Sequence, residues 1–317
     1  MTQLTCYVRL LIGAFLLLTG ADSHRALQTG VGMSMNPHVQ LYQFIHSGDS
    51  ICIAHVTRVD ASAGPRMGQE TLNIGLQADE TLWGASQSPA RTYLLVRPAS
   101  RTSQLKFPDP LWGRVDIRQN VTVLLVTASG SGRDDHGPVY VDEIPDPNDP
   151  TLRSIREVLK AERSKGGHAG EIDHYLHWLS AGTIVQKLFA GEALAKEAPP
   201  DQVGQVSLDL STAFVKEQDD YVKISLGTWL WDDIFPRADT KGKVAILNAT
   251  IRAATSQSPN TSDFALDRLS EADSQLFREP GVEPLPGVVR LLEQRKGKET
   301  DAKVRQHLDG IIAALRR

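Results

Sequence analysis

The sequence predicts an α+β protein: a small five-stranded barrel or sandwich over residues 47–148, then an all-α bundle or stack of helical hairpins over residues 149–317. Two observations carry this. Before about residue 149, short β-type runs alternate with Gly, Pro and Ser; after it, apolar residues recur three and four apart. The two regimes meet at Glu143-Ile144-Pro145-Asp146-Pro147-Asn148-Asp149-Pro150, whose prolines stop a helix from running back into the strands. A length of 317 residues suits about two domains with cores of their own.

The N-terminus carries three features in sequence. Arg9 precedes the apolar run Leu10-Leu11-Ile12-Gly13-Ala14-Phe15-Leu16-Leu17-Leu18, and Ala21, Asp22 and Ser23 then form a small-residue box. That three-part layout predicts a signal peptide over residues 1–23, cleaved after Ser23, and hence export to a periplasm or to extracellular space. The run is about half of the ~20 apolar residues that a membrane span needs, so no membrane span is expected to remain after cleavage. Cys6 then leaves with the signal, and Cys52, in the apolar run 51–56, is expected to be a buried thiol. Residues 24–46 form an N-terminal segment that is assigned neither to helix nor to strand.

Strands are expected at 51–59, 71–78, 92–97, 121–127 and 139–141. The second has the clearest pattern, because Leu72, Ile74, Leu76 and Ala78 alternate with Thr71, Asn73, Gly75 and Gln77. In the second half, Asp149 reads as an N-cap with Pro150 at the first helical position. Helical spacing follows in Leu152/Ile155/Leu159, Ile172/Leu176/Leu179, Val203/Val206/Leu210/Phe214, Leu226/Trp229/Leu230, Val244/Leu247/Ile251 and Val304/Leu308/Ile311/Ile312/Leu315. About seven or eight helices are expected.

Ser47-Gly48-Asp49-Ser50-Ile51 through Val56-Thr57-Arg58-Val59, then Leu76-Gln77-Ala78-Asp79-Glu80-Thr81-Leu82-Trp83-Gly84, then Val123-Leu124-Leu125-Val126, resembles the netrin-like family of exported domains. The resemblance covers residues 47–142 and rests on the order of Glu80, Leu82, Trp83 and Gly84. It implies an oligonucleotide/oligosaccharide-binding (OB-like) β-barrel. Tissue inhibitors of metalloproteinases in that family reach a protease metal through an N-terminal cysteine, but the expected new terminus here is His24, so that mechanism is not carried over. In OB-type barrels the ligand meets the loops around the second and third strands. The matching features here are the loop 63–68 with Arg66 and the tip 130–136 with Arg133; the competing reading is that both merely turn the chain. The helical half is similar to HEAT-type repeats, chiefly over residues 285–315, although no fixed period of about 40 residues is present.

Chemical motifs are few. Glu171, His174 and His177 have the three-residue spacing that places them along one helix face, with His168 just before, and imidazole with carboxylate can ligate zinc. The acids of residues 142–149 can hold calcium, though without the spaced EF-hand pattern. Ser103-Gln104-Leu105-Lys106 satisfies Ser-x-x-Lys but has neither companion motif. Trp229, Trp231 and the adjacent acids offer a sugar platform, against which the apolar stripe argues for core packing. No cofactor is expected.

The formal net charge of −4 gives no attraction to nucleic acid, so none is expected as a partner. The leading expectation is an exported, non-enzymatic binding or scaffold protein with a protein or glycan partner. The alternative is a metal-dependent exported hydrolase built on Glu171, His174 and His177.

Overall fold

A computed structural model describes residues 39, 41–42, 50–64, 69–84, 90–98, 118–127, 138–144, 146, 148–163 and 172–316. The expectations for residues 1–23, Arg66, Ser103 to Lys106, Arg133, His168 and Glu171 lie outside these. The chain divides into two compact units, Met1–Asp149 and Pro150–Arg317. Strands in the first and helices in the second make it a mixed α+β protein. Among the described residues no helix is long and apolar enough to cross a membrane.

In the first unit, β1 (Ser50–Ala63), β2 (Gln69–Gly84), β3 (Ala90–Pro98), β4 (Thr122–Thr127) and β5 (Pro138–Glu143) lie in one sheet in the order β3-β2-β1-β4-β5. Each neighbouring pair is antiparallel. Three consecutive strands with the fourth returning beside the first is the Greek-key order. Among the described residues, β3 pairs only with β2 and β5 only with β4, so the sheet is open. The barrel expected from the sequence is therefore not closed among the described residues. Closure requires tilt and shear to agree across all strands, and the alternation within single strands carries no information about either.

β1 is the organiser. Its register against β2 slips at Ile51/Cys52, Ile53/Ala54 and Val56/Arg58, and bulges of this kind bend a strand and increase its twist. Gly75 sits where the last slip brings backbones together: a β-carbon there would lie 2.9 Å from Thr57 Oγ1 and 3.3 Å from Arg58 Cβ. One face of the sheet holds a core of Cys52, Ala54, Val56, Leu72, Ile74, Leu76, Val121, Val123, Leu125 and Val141. Ile51, Ile53, Leu124 and Val126, pointing the other way, are buried as well. The alternation expected for 71–78 therefore forms, whereas β1 beside β4 is buried on both faces and reads as a continuous apolar run.

In the second unit nine α-helices follow among the described residues: α1 (Pro150–Arg163), α2 (Ile172–Ala181), α3 (Ile184–Glu197), α4 (Val203–Lys216), α5 (Asp220–Trp229), α6 (Thr240–Ala253), α7 (Pro259–Glu271), α8 (Pro286–Lys298) and α9 (Ala302–Leu315). This exceeds the expected seven or eight. Neither α3 nor α7 stood out by spacing in the sequence; in α3, Val185, Leu188, Phe189, Ala190, Leu194 and Ala195 are all buried, leaving no narrow apolar stripe to read.

The caps are local. Asp219, Asp239, Ser258 and Asp301 accept hydrogen bonds from the first-turn amides of α5, α6, α7 and α9, and Thr183 with Gln186 forms a capping box on α3.

The helices pack on their sequence neighbours and also two steps along: α1 on α3, α2 on α4, α3 on α5, α4 on α6, α5 on α7 and α7 on α9. Odd and even helices thus fall largely into two layers, the arrangement of stacked helical hairpins. The odd helices start at Pro150, Ile184, Asp220, Pro259 and Ala302, separations that lengthen at each step, which explains the missing fixed period.

A π-turn at Leu230–Ile234 ends α5. Its extra residue buries Leu230, Trp231 and Ile234 together. Trp231 Nε1 donates to Thr250 Oγ1 at 2.9 Å, and Trp229 is half-buried beside Gly191 of α3. The tryptophan pair thus belongs to the packing rather than to a sugar platform.

Candidate functional site: a groove between α2, α3 and α4

The groove starts from an aromatic seam. Tyr175, Trp178 and Leu179 form the buried face of α2, and the Tyr175 and Trp178 rings meet Phe189 of α3 edge-on at 5.9 and 6.1 Å. This seats α2 on α3 and turns Leu176, Leu179 and Ser180 toward α4. The capping-box residue Gln186 also donates to Glu157 Oε2 of α1 at 2.7 Å, which ties the start of α3 to α1.

The next residue, Lys187, reaches across to the end of α4. Its Nζ donates to Glu217 Oε2 at 2.8 Å. The other carboxylate oxygen, Oε1, accepts from the backbone amides of Gln218 and Asp219 at 2.8 and 3.0 Å. Glu217 is 9% exposed. Burial pushes its pKa up, but the Lys187 ammonium and the two amides overcome that and hold the carboxyl below the ordinary glutamate value. Asp219 then caps α5, so one short connector closes α4, anchors α3 and starts α5.

The resulting hollow has a volume of about 430 Å³ and is lined from α2, α3, α4 and the Glu217-Gln218 connector. That is within the size range of ligand sites. Leu176, Leu179 and Ala213 supply its apolar wall. The hydroxyls are already committed: Ser180 Oγ donates to His177 O, and Thr212 Oγ1 to Leu208 O, both at 2.9 Å. Two charges of opposite sign remain, both on α4. The Asp209 carboxylate accepts from Gln205 Nε2 at 2.9 Å. Lys216 has no ion pair among the described residues. Seven residues apart, the two lie on one stripe of the helix about 10 Å from each other along its axis. Such a surface offers a shape and a fixed order of two charges.

A second, shallower hollow of about 300 Å³ lies between the end of α6, the start of α7 and α8, with Arg290 on its rim. Its Thr255 and Ser262 hydroxyls donate to Arg252 O and Ala254 O. Another half-buried carboxyl, Asp233, follows the π-turn's entry; burial raises its pKa, with Asp232 and Glu192 adding to the rise against Lys196 and Arg237.

Of the residues singled out in the sequence, His174 and His177 are exposed on α2 and do not line the groove. His174 packs its ring 4.3 Å from that of Trp178. Their expected partner Glu171 lies outside the described residues, as do Arg66 and Arg133. Among the described residues, no group of three or more His, Cys, Asp and Glu is gathered as for a metal ion. In the linker, Asp146 Oδ1 is occupied by the Asn148 amide at 2.8 Å, and Glu143 faces Arg118 at 3.8 Å. Cys52 is buried in the sheet core at 1% exposure. In the sheet, His55 Nδ1 meets Asp79 Oδ1 at 2.7 Å, a cross-strand pair.

The sequence reading passed over Lys187 and Glu217. A signal was available: Lys187 is the one cation in the apolar stretch 184–195, where an isolated charge implies a partner. The chain matches no protein-family profile, no curated protein and no solved structure.

Proposed function

We propose that this is an exported, non-enzymatic binding or scaffold protein in which the helical unit is a platform for a partner and the strand unit is an OB-like domain of the netrin-like kind. The observation that supports the platform reading is the groove, whose hydroxyls and Lys187 are spent inside the protein, so that wall shape and the Asp209 and Lys216 charges are what it offers a partner. Stacked hairpins characteristically use such inter-helix surfaces for binding. Support for the OB-like reading comes from the Greek-key order and the thrice-slipped β1, since that fold is a partly open Greek-key barrel. Arg66 and Arg133 are its proposed contact residues.

Crosslinking followed by pull-down from the exported fraction tests the reading. Expected is one stable partner, together with an intact mass that begins at His24. Stoichiometric zinc in the purified protein, lost in His174→Ala, overturns it in favour of the hydrolase built on Glu171, His174 and His177.

A further inference from the structure

We infer that the groove between α2, α3 and α4 takes an amphipathic helix of a protein partner, lying antiparallel to α4 with an acidic residue in its first turn against Lys216, an apolar anchor in the middle and a basic residue seven positions after the acid against Asp209. The inference rests on the binding function proposed above and names the partner's chemistry.

Exclusion narrows the occupant. Against a glycan, the lining holds no aromatic ring on which a sugar face could stack, and the Ser180 and Thr212 hydroxyl protons are spent on their own helix carbonyls. The Gln218 side-chain amide likewise donates to Lys216 O. A nucleic acid needs a run of cations, and here Lys187 is neutralised by Glu217, leaving one cation, Lys216, and one carboxylate, Asp209. What remains is an apolar wall flanked by one negative and one positive group two helical turns apart. A helix repeats its own surface at the same interval, so a residue and its seventh successor meet both charges while positions three and four between them face Leu176, Leu179 and Ala213.

Orientation follows from the dipole. Lys216 ends α4, so an antiparallel partner begins there and ends at Asp209. Its acid then lies in its first turn and its base toward its C-terminal end, the order that complements the helix's own partial charges. A parallel partner would carry both against them. The Lys187–Glu217 pair fixes the groove's end before any partner arrives, because it joins α3 to the connector after α4.

The probe is a fluorescein-labelled fifteen-residue helical peptide with Glu, Leu, Leu and Lys at positions 4, 7, 8 and 11, titrated with the full chain and read by polarisation. Expected is saturable binding that a scrambled peptide lacks, weakened at least tenfold by Lys216→Glu and by Ala213→Trp, the latter filling the wall. The Asp209→Lys/Lys216→Glu protein should recover binding for a peptide with Glu and Lys exchanged. Circular dichroism melts within a few degrees of the parent establish that the variants fold; Lys216→Gln, expected to weaken binding less than Lys216→Glu, serves if the reversal does not.

Equal affinity for ordered and scrambled peptides, or indifference to the charge exchange, overturns the inference. If the partner crosslinked from the exported fraction is captured equally well by the Lys216→Glu protein, the binding function stands and the groove assignment falls. If ordered peptide binds but no exported partner is captured, the groove stands and the proposed function falls.

Discussion

The strand unit and the helical unit distribute their dependencies differently. In the sheet, β1 serves two partners at once: Cys52 is opposite Thr81 of β2 and Leu125 of β4, so its core joins segments far apart in the chain. In the helical unit a helix packs on its next and next-but-one neighbour and is capped by residues beside its own ends. The lesson is that damage should spread through the sheet and stay near its origin in the helices, as in quasi-one-dimensional repeats.

A pair of buried truncations separates the two units most strongly. Ile74→Ala and Leu308→Ala both remove fully buried side chains, and each should cost about 2–5 kcal/mol. Hydrogen exchange is then expected to open β1, β2 and β4 together in the first variant, but α8 and α9 ahead of α2 to α4 in the second. Uniform loss of protection across all nine helices would remove the distinction.

A smaller effect tests the sheet's hinge point. Gly75→Val drives a side chain into Thr57 and Arg58 at the β1 slip and should cost about 1–3 kcal/mol in a denaturant melt. An unchanged midpoint would mean that the bulge gives way freely. At the helical end of the scale, Asp219→Ala removes the acceptor of the Tyr221 and Val222 amides, worth about 1 kcal/mol. Exchange should then quicken in the first turn of α5, and at the start of α7 through Asp220, which accepts from Thr261 Oγ1 at 2.9 Å, while α8 and α9 keep their protection.

The smallest effect is the most specific in sign. Glu217 has a depressed pKa, so it contributes stability above the ordinary glutamate range, and that contribution is lost as pH falls through the lower folded value. Asp233 has a raised pKa; its folded form holds the proton more tightly, so stability falls as pH rises from the ordinary aspartate value through the raised one. Melting temperature against pH should therefore lose part of its acid limb in Glu217→Gln. In Asp233→Asn it should gain at neutral pH relative to acid.

The same contrast explains what could be read from the sequence. Helix ends were legible where the signals were local, as at Pro150 beginning α1, because capping and periodicity act within a few residues. The alternation of Leu72, Ile74 and Leu76 was legible because a half-buried strand announces its own face. Closure of the sheet was not, since it depends on whether β3 and β5 meet, a relation between segments about 40 residues apart. The groove was illegible for the same reason: Leu176, Lys187 and Lys216 become neighbours only once α2, α3 and α4 are stacked. Core packing of the tryptophans was legible from the apolar stripe, but not that Trp231, in the π-turn, is buried more deeply than the half-buried Trp229 of the stripe.

Arg237, just beyond that π-turn, donates from Nη1 to Ala195 O at 2.8 Å and from Nη2 to Ala198 O. These carbonyls belong to the end of α3, which lacks intrahelical partners for its last turn. On a ribosome, α3 is complete about forty residues before Arg237 is added, roughly two to eight seconds at ordinary elongation speeds. Until then Arg237 is missing from the C-terminus of α3, and the arginine acts as a latch that arrives late. A synonymous pause placed between codons 198 and 237 would lengthen the exposure of this end without altering a single residue of the finished protein.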